Sequence, residues 1–189
     1  MTFYKPEIKR ILFATDLSEN AGRAFGYAAS MADAHGATVT ILHVLEKIPP
    51  KAELMVILFE GYESREDLQK KTEAEILDQT KSFLEGYCAA FEGKFPACPL
   101  MVDAVVVETG DPVKRILHHA HHGGYDAVVM GSRGFGLIQG IWMGSTSRGV
   151  LRQCKVPVFI VPPEQKDEQS SGPNRYDDPN RVDRVDGGS

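Results

Sequence analysis

Apolar positions along the chain alternate between two periods. Arg10-Ile11-Leu12-Phe13-Ala14 is a short unbroken apolar run and predicts the first strand. From Ser18 to His35 the residues Ala21, Ala24, Phe25, Ala28, Met31 and Ala32 recur at helical spacing, with Gly36 as a stop. Thr38 to Val44 is β-branched and predicts a second strand. Arg65 to Glu92 predicts a long amphipathic helix, with Leu68, Ile76, Leu77, Phe83, Leu84 and Tyr87 on one stripe. Met101 to Val107 follows as strand three. Asp111-Pro112 is a helix-start signal for Val113 to about His121. Ala127-Val128-Val129-Met130 predicts strand four, Ser145 to Gln153 a last helix, and Val156 to Val161 strand five.

Strands separated by helices imply parallel βαβ units. Runs such as Ala127 to Met130 suit strands buried on both faces rather than on one. The pattern therefore predicts a single doubly wound α/β domain. It does not give the strand order.

Two stretches depart from this alternation. Lys47 to Tyr62 opens with Ile48-Pro49-Pro50, which ends a strand, and turns apolar over Leu54 to Phe59. It reads as a long connection that covers the core or faces a partner. Glu164 to Ser189 is polar, with Val182 and Val185 as its only branched apolar residues, and reads as a flexible tail after a domain of residues 1–163. The tail has seven acids and four bases, so it carries −3 of the net −5 and leaves the domain near neutral.

The 189 residues are 42% apolar and 25% charged, ordinary values for a soluble domain that builds its own core. An acidic balance argues against nonspecific nucleic-acid binding. No run approaches the roughly 18 apolar residues of a membrane span. Cys88, Cys98 and Cys154 form no CxxC pair, which predicts neither a disulfide framework nor a zinc site. A reducing cytoplasm is the expected compartment.

Candidate chemistry concentrates after strand four. There the chain reads Gly131-Ser132-Arg133-Gly134-Phe135-Gly136 and, after Leu137 to Met143, Gly144-Ser145-Thr146-Ser147 at the start of a helix. Gly131 and Gly134 lack a Cβ, so the backbone there can take positive φ and approach a ligand closely. Free N–H groups at a helix start favour an anion. The dipole contributes only about 0.3–1 kcal/mol. A micromolar site needs about 8 kcal/mol, so several aligned donors must act together. The plainer alternative is a tight turn followed by a helix that Ser145 caps.

Other phosphate loops do not fit. No GxxxxGK[ST] occurs. Gly134-Phe135-Gly136 begins like GxGxxG, but Gly140 falls one residue late and the stretch lies far from the first strand.

The spacing Gly131-x2-Gly134-x9-Gly144-Ser145 resembles the nucleotide loop of the universal stress protein family, ATP-binding subgroup. Supporting pieces occur in order: Ile11 to Asp16, Leu42-His43-Val44, Gly110-Asp111-Pro112 and Pro157 to Val161. The resemblance spans about residues 5 to 162. It implies a five-stranded parallel sheet in the order 3-2-1-4-5, with helices on both faces. It also implies a ligand, ATP or another adenine nucleotide, with magnesium as its companion ion. Ala14, Thr15 and Asp16 would line the adenosine side, and Val44 would offer backbone hydrogen bonds to the adenine edge. Met130 and Gly131 would border the ribose, and Arg133, Gly134, Gly144, Ser145 and Thr146 would hold the phosphates. Ala14 departs from the proline frequent in the family and should change little. The resemblance further implies a homodimer paired through strand five.

Asp16 is open to a second reading as a helix cap, and Arg133 to one as a solvated side chain. His118-His119-Ala120-His121-His122 places two imidazoles at i,i+4. No acid or cysteine completes a metal set in the sequence, so it reads as a surface helix end. His43, inside a strand, reads as structural.

Three functions are expected in turn. The first is a cytoplasmic ATP-binding regulatory protein of the stress-response type, neither inserted in a membrane nor bound to nucleic acid. The second is a slow ATPase, although the HxGH and SGGxDS signatures of related nucleotide enzymes are absent. The third is an interaction module that regulates a protein partner such as a transporter or kinase.

Overall fold

The computed structural model describes residues 5–18, 21–47, 57, 64–90, 101–134 and 143–163. The tail from 164 and most of the connection between 47 and 62 lie outside them. In chain order the elements are β1 (Arg10–Thr15), α1 (Ala21–His35), β2 (Thr38–Leu45), α2 (Arg65–Ala90), β3 (Val102–Thr109), α3 (Pro112–His122), β4 (Ala127–Gly131), α4 (Ser145–Gln153) and β5 (Val158–Val161).

The five strands form one parallel sheet in the order β3-β2-β1-β4-β5. β1 is central, with Phe13 opposite Ile41 on one side and Val129 on the other. Successive strand residues face opposite sides, and both sides are covered. Ile11, Phe13, Val39, Ile41 and Val129 pack against the alanine-rich face of α1. Leu12, Ala14, Leu42, Val128 and Met130 pack against Ile116 and Ala120 of α3 and Val150 of α4. Burial on both sides is why these strands read as continuous apolar runs instead of alternating ones.

Alanines let the α1 backbone lie close to the sheet, and the aromatics fill what remains. Phe25 meets Phe13 at 5.4 Å and Phe83 of α2 at 5.7 Å, ring centre to ring centre. At 26 residues α2 is about 39 Å long, while an eight-residue strand spans about 26 Å. The helix packs on the core through Phe83 and Leu84, and Leu68 and Thr80 are buried as well. Leu77, expected on the apolar stripe, is 44% exposed. It lies about 100° round the helix from Ile76, at the margin of the face that Thr80 and Phe83 centre.

The termini of α3 follow the sequence signals. The Asp111 side chain accepts from the Lys114 amide at 3.0 Å, and Pro112 occupies the first turn. Gly149 of α4 faces Val113 so closely that a Cβ there would lie 2.8 Å from its Cγ2, which brings α3 and α4 into contact. Among the described residues no helix is long and apolar enough to cross a membrane.

Candidate functional site

Beyond the carboxyl ends of β1, β2 and β4 lies a cleft of about 630 Å³, a volume common for small-molecule sites. It opens where β1 and β4 diverge to their separate crossovers, the switch point of a doubly wound sheet. The structure brings together there Ala14, Thr15, Asp16, Val44, Met130, Gly131, Arg133, Gly134, Gly144, Ser145 and Thr146.

One wall is the turn that leaves β1. The Leu17 amide donates to Thr15 Oγ1 at 3.0 Å, and the Ser18 amide donates to Asp16 Oδ1 at 3.1 Å. Between them Leu17 has φ of 60°, left-handed and unusual for a residue with a side chain. Asp16 therefore does shape the approach to α1, as the capping reading anticipates. Its other oxygen is turned toward the opposite wall.

That wall is the chain leaving β4. The Ser132 amide donates to Val161 O at 2.7 Å, and the Gly144 amide to Ser132 O at 2.8 Å. Ser147 Oγ donates to Gly131 O at 2.8 Å. These bonds pin both stems of the loop, so Gly131 to Gly134 and the start of α4 form one wall.

The glycines act by proximity, not by handedness. Neither Gly131 nor Gly134 has positive φ, contrary to the expectation for these positions; the described glycines that do are Gly36, Gly110 and Gly124. A Cβ on Gly134 would fall on Asp16 Oδ2 and 3.0 Å from its Cγ. At Gly131 it would lie 3.2 Å from Arg133 O, which is tight, and at Gly144 3.5 Å from Ser132 O, which is ordinary contact. Space alone demands glycine most strongly at 134.

The start of α4 also differs from the capping alternative. The N-cap is Gly144, one residue before Ser145, and among the described residues no side chain caps the helix. The first amides of α4 are thus without a side-chain acceptor at a helix end whose dipole favours negative charge. Arg133 is half-buried, and its Nε is buried with no hydrogen-bond partner. The solvated reading of Arg133 does not describe that atom. A buried cationic donor beside amides that no described side chain caps is an arrangement suited to an anion.

Three further cleft residues carry no sequence signal of that role. Ile76 and Gln79 reach it from α2. Periodicity cannot reveal which turns of a helix meet a cleft. His43 also lines the cleft while being 7% exposed, and its Nδ1 lies 3.0 Å from Thr15 O. A carbonyl only accepts, so Nδ1 carries the proton. Burial pushes the imidazole pKa below its usual range, outweighing the opposing pull of the Thr15 bond and the Asp16 charge.

The histidines of α3 are occupied elsewhere. His119 Nε2 lies 2.9 Å from Glu108 Oε1, with Arg115 Nε 3.6 Å from the other oxygen. His121 Nε2 accepts from the Lys155 amide at 3.1 Å, and His122 Nδ1 bonds His118 O at 2.9 Å. Among the described residues no three histidines, cysteines or acids come together as a metal set.

Sheet order, crossover pattern and cleft position define a doubly wound α/β protein with its ligand space at the switch point. Residues 7–162 match the universal stress protein family. A universal stress protein of Thermus aquaticus is 30% identical over 153 residues, 81% of this chain and 98% of the relative. The universal stress protein UspA of Lactobacillus plantarum has a similar structure, with a TM-score of 0.63 at 20% identity over 83% of this chain and 99% of that one. A universal stress protein in complex with cAMP gives a TM-score of 0.52 at 21% identity, over 82% and 97% of the two chains. Another, from Archaeoglobus fulgidus in complex with dAMP, gives 0.50 at 21% identity, over 82% and 98%. The chain belongs to the universal stress protein family.

Proposed function

We propose that this protein binds an adenine nucleotide, ATP first, and acts as a nucleotide-dependent regulatory module of the stress response in the cytoplasm. One observation carries the reading. The uncapped start of α4, Arg133 with its buried Nε, and Gly134 with its bare Cα against Asp16 all line one cleft. Two family members of the same fold hold adenine nucleotides. Here the α4 amides, the Ser145 and Thr146 hydroxyls and Arg133 would bind phosphates. Asp16, an acceptor, suits ribose hydroxyls and not phosphate. Ala14 and Met130 supply apolar walls, Gly131 lets the ribose approach, and backbone atoms of Val44 face the adenine edge. Magnesium would arrive on the phosphates, which together with water satisfy most of its octahedral preference.

Calorimetry with ATP tests the site. Gly134→Val and Ser145→Ala should each weaken binding, and equal affinity in all three proteins rejects the assignment. Mass spectrometry of small molecules released on denaturation identifies the nucleotide carried from the cell.

The same reading includes a homodimer through β5. This strand is a sheet edge, and Phe159 on it is 44% exposed and stacked on Tyr27 at 5.6 Å. Open apolar edges invite pairing, and a second copy of the strand satisfies both edges with two-fold symmetry. Glutamate at Val158 and Ile160 should give monomers or insoluble protein, and a dimer unchanged in sedimentation sinks the idea. Nucleotide occupancy would alter the Gly131–Ser145 surface offered to a protein partner.

A further inference from the structure

We propose that His43 is a positioning residue for the nucleotide, acting through the Thr15 carbonyl to fix the turn that carries Asp16. The inference rests on the nucleotide reading of the cleft and adds to it a residue that this reading leaves as core.

His43 is an unusual choice for its place. Its strand neighbours are Leu42 and Val44, and its register partner on β3 is Val107. A branched aliphatic residue would fill such a position with no polar group to satisfy. An imidazole there loses its hydration and needs a partner. The partner is Thr15 O, the carbonyl of the last residue of β1. It is also the last fixed point before the chain turns toward α1. Burial keeps the ring neutral, so it holds this carbonyl as a plain N–H donor.

The turn after Thr15 depends on being held. Leu17 sits at φ of 60°, kept there by its own amide on Thr15 Oγ1 and by the Ser18 amide on Asp16 Oδ1. Both bonds run through residues 15 and 16, and their geometry depends on the plane of the Thr15 peptide. The Asp16 carboxylate in turn packs against the bare Cα of Gly134. Four residues from three segments thus form one line: His43, Thr15, Asp16 and Gly134. Without the imidazole donor the Thr15 peptide can rotate, and Asp16 loses its defined position across the cleft.

The test uses the full chain and ATP. Calorimetry compares wild type, His43→Leu, His43→Asn, Asp16→Ala and the double variant His43→Leu/Asp16→Ala. Asparagine keeps an amide donor near the place of Nδ1, whereas leucine keeps only bulk. His43→Leu should weaken ATP binding about two- to tenfold, the worth of one hydrogen bond, and His43→Asn should recover most of it. In the Asp16→Ala background the leucine substitution should be nearly silent, because the group it positions is gone. Equal losses for leucine and asparagine, or a leucine effect that persists without Asp16, overturn the proposal. A second measurement needs no variant: exchange of the His43 Nδ1 proton, followed by NMR in wild type, should slow when ATP binds, and an unchanged rate overturns the proposal. Wild type that binds no ATP overturns the nucleotide reading and this inference together. Wild type that binds ATP while ignoring His43 overturns this inference alone.

Discussion

Gly134 offers the most direct quantitative probe of the cleft. Replacing it with alanine adds one methyl group that must occupy the place of Asp16 Oδ2, with Cγ only 3.0 Å away. Two responses are open to the molecule. The loop can retreat, which for an added methylene in a packed place costs about 1–3 kcal/mol. Alternatively the carboxylate can swing away and lose the Ser18 amide on Oδ1; a hydrogen bond to a charged group is worth about 1.5–3 kcal/mol. The cheaper response decides, so the penalty is about 1–3 kcal/mol, a loss of about five- to 150-fold in ATP affinity if it falls wholly on the bound state. Calorimetric titration of wild type and Gly134→Ala reads this number, and urea unfolding shows how much falls on folding instead. The double variant Gly134→Ala/Asp16→Ala is a sharper test. Once Asp16→Ala has removed the carboxylate, alanine at 134 has room, and its cost should drop by at least about 1 kcal/mol. Strict additivity, or an alanine variant that both binds ATP and unfolds in urea as wild type does, would refute the steric account.

Three other outcomes test the frame around the cleft. Phe25→Ala removes a fully buried ring that touches Phe13 and Phe83 and should cost about 3–5 kcal/mol in chemical denaturation. Asp111→Ala deletes the α3 cap that receives the Lys114 amide and should cost about 1 kcal/mol, with the far-ultraviolet spectrum of the folded state retained. His43 should make stability depend on pH. Its folded pKa lies below the unfolded value of about 6.5, so between the two the unfolded chain binds more protons and stability rises with pH. Stability should accordingly fall as pH drops below about 6.5 and be level above it. His43→Asn should remove that component, and identical pH profiles for the two proteins in urea titrations would contradict the burial argument.

The sheet was legible because its strands are covered on both sides. Ile11 to Ala14 and Ala127 to Met130 have no polar face to show, so each run announces a buried parallel strand, and the helices between them announce the crossovers. Strand order was not legible from periodicity, which is local, while order depends on which crossover passes over which face. It came with the resemblance carried by the spaced glycines. The candidate cleft was legible in its residues but not in its mechanics. Glycine in a sequence does not distinguish a left-handed turn from a close approach, and at 131 and 134 the approach is what the fold uses. Ser145 looked like a cap because serine prefers that place; the loop stems, tied through Gly144 and Ser132, put the cap one residue earlier. Gln79 joins the cleft from α2 through the way the helix docks, which its own residue type does not announce.

A comparison of α3 with α4 ties the cleft to the rest of the molecule. Both helices start just beyond the carboxyl end of a strand or the loop after it, and both pack on the same side of the sheet. The first is finished as a helix start should be, with Asp111 on the Lys114 amide and proline in the first turn. The second is left open: glycine at the cap and, among the described residues, no side chain on its amides and beside it a buried guanidinium nitrogen without a partner. Across the gap Leu17 holds a conformation that costs about 1–2 kcal/mol. A glycine cap in place of serine or aspartate costs only a few tenths of a kcal/mol, and an unsatisfied buried donor about 1–3 kcal/mol. The chain demonstrates at α3 that it can avoid such costs, yet it gathers three of them around one cleft. Departures of this kind gathered around one cleft are what a fold shaped for a ligand is expected to show. On the nucleotide reading, an arriving anion would meet the open start of α4 and the Arg133 guanidinium together. That anion would be a phosphate met by the Ser145 and Thr146 hydroxyls, with Asp16 left to accept from the ribose.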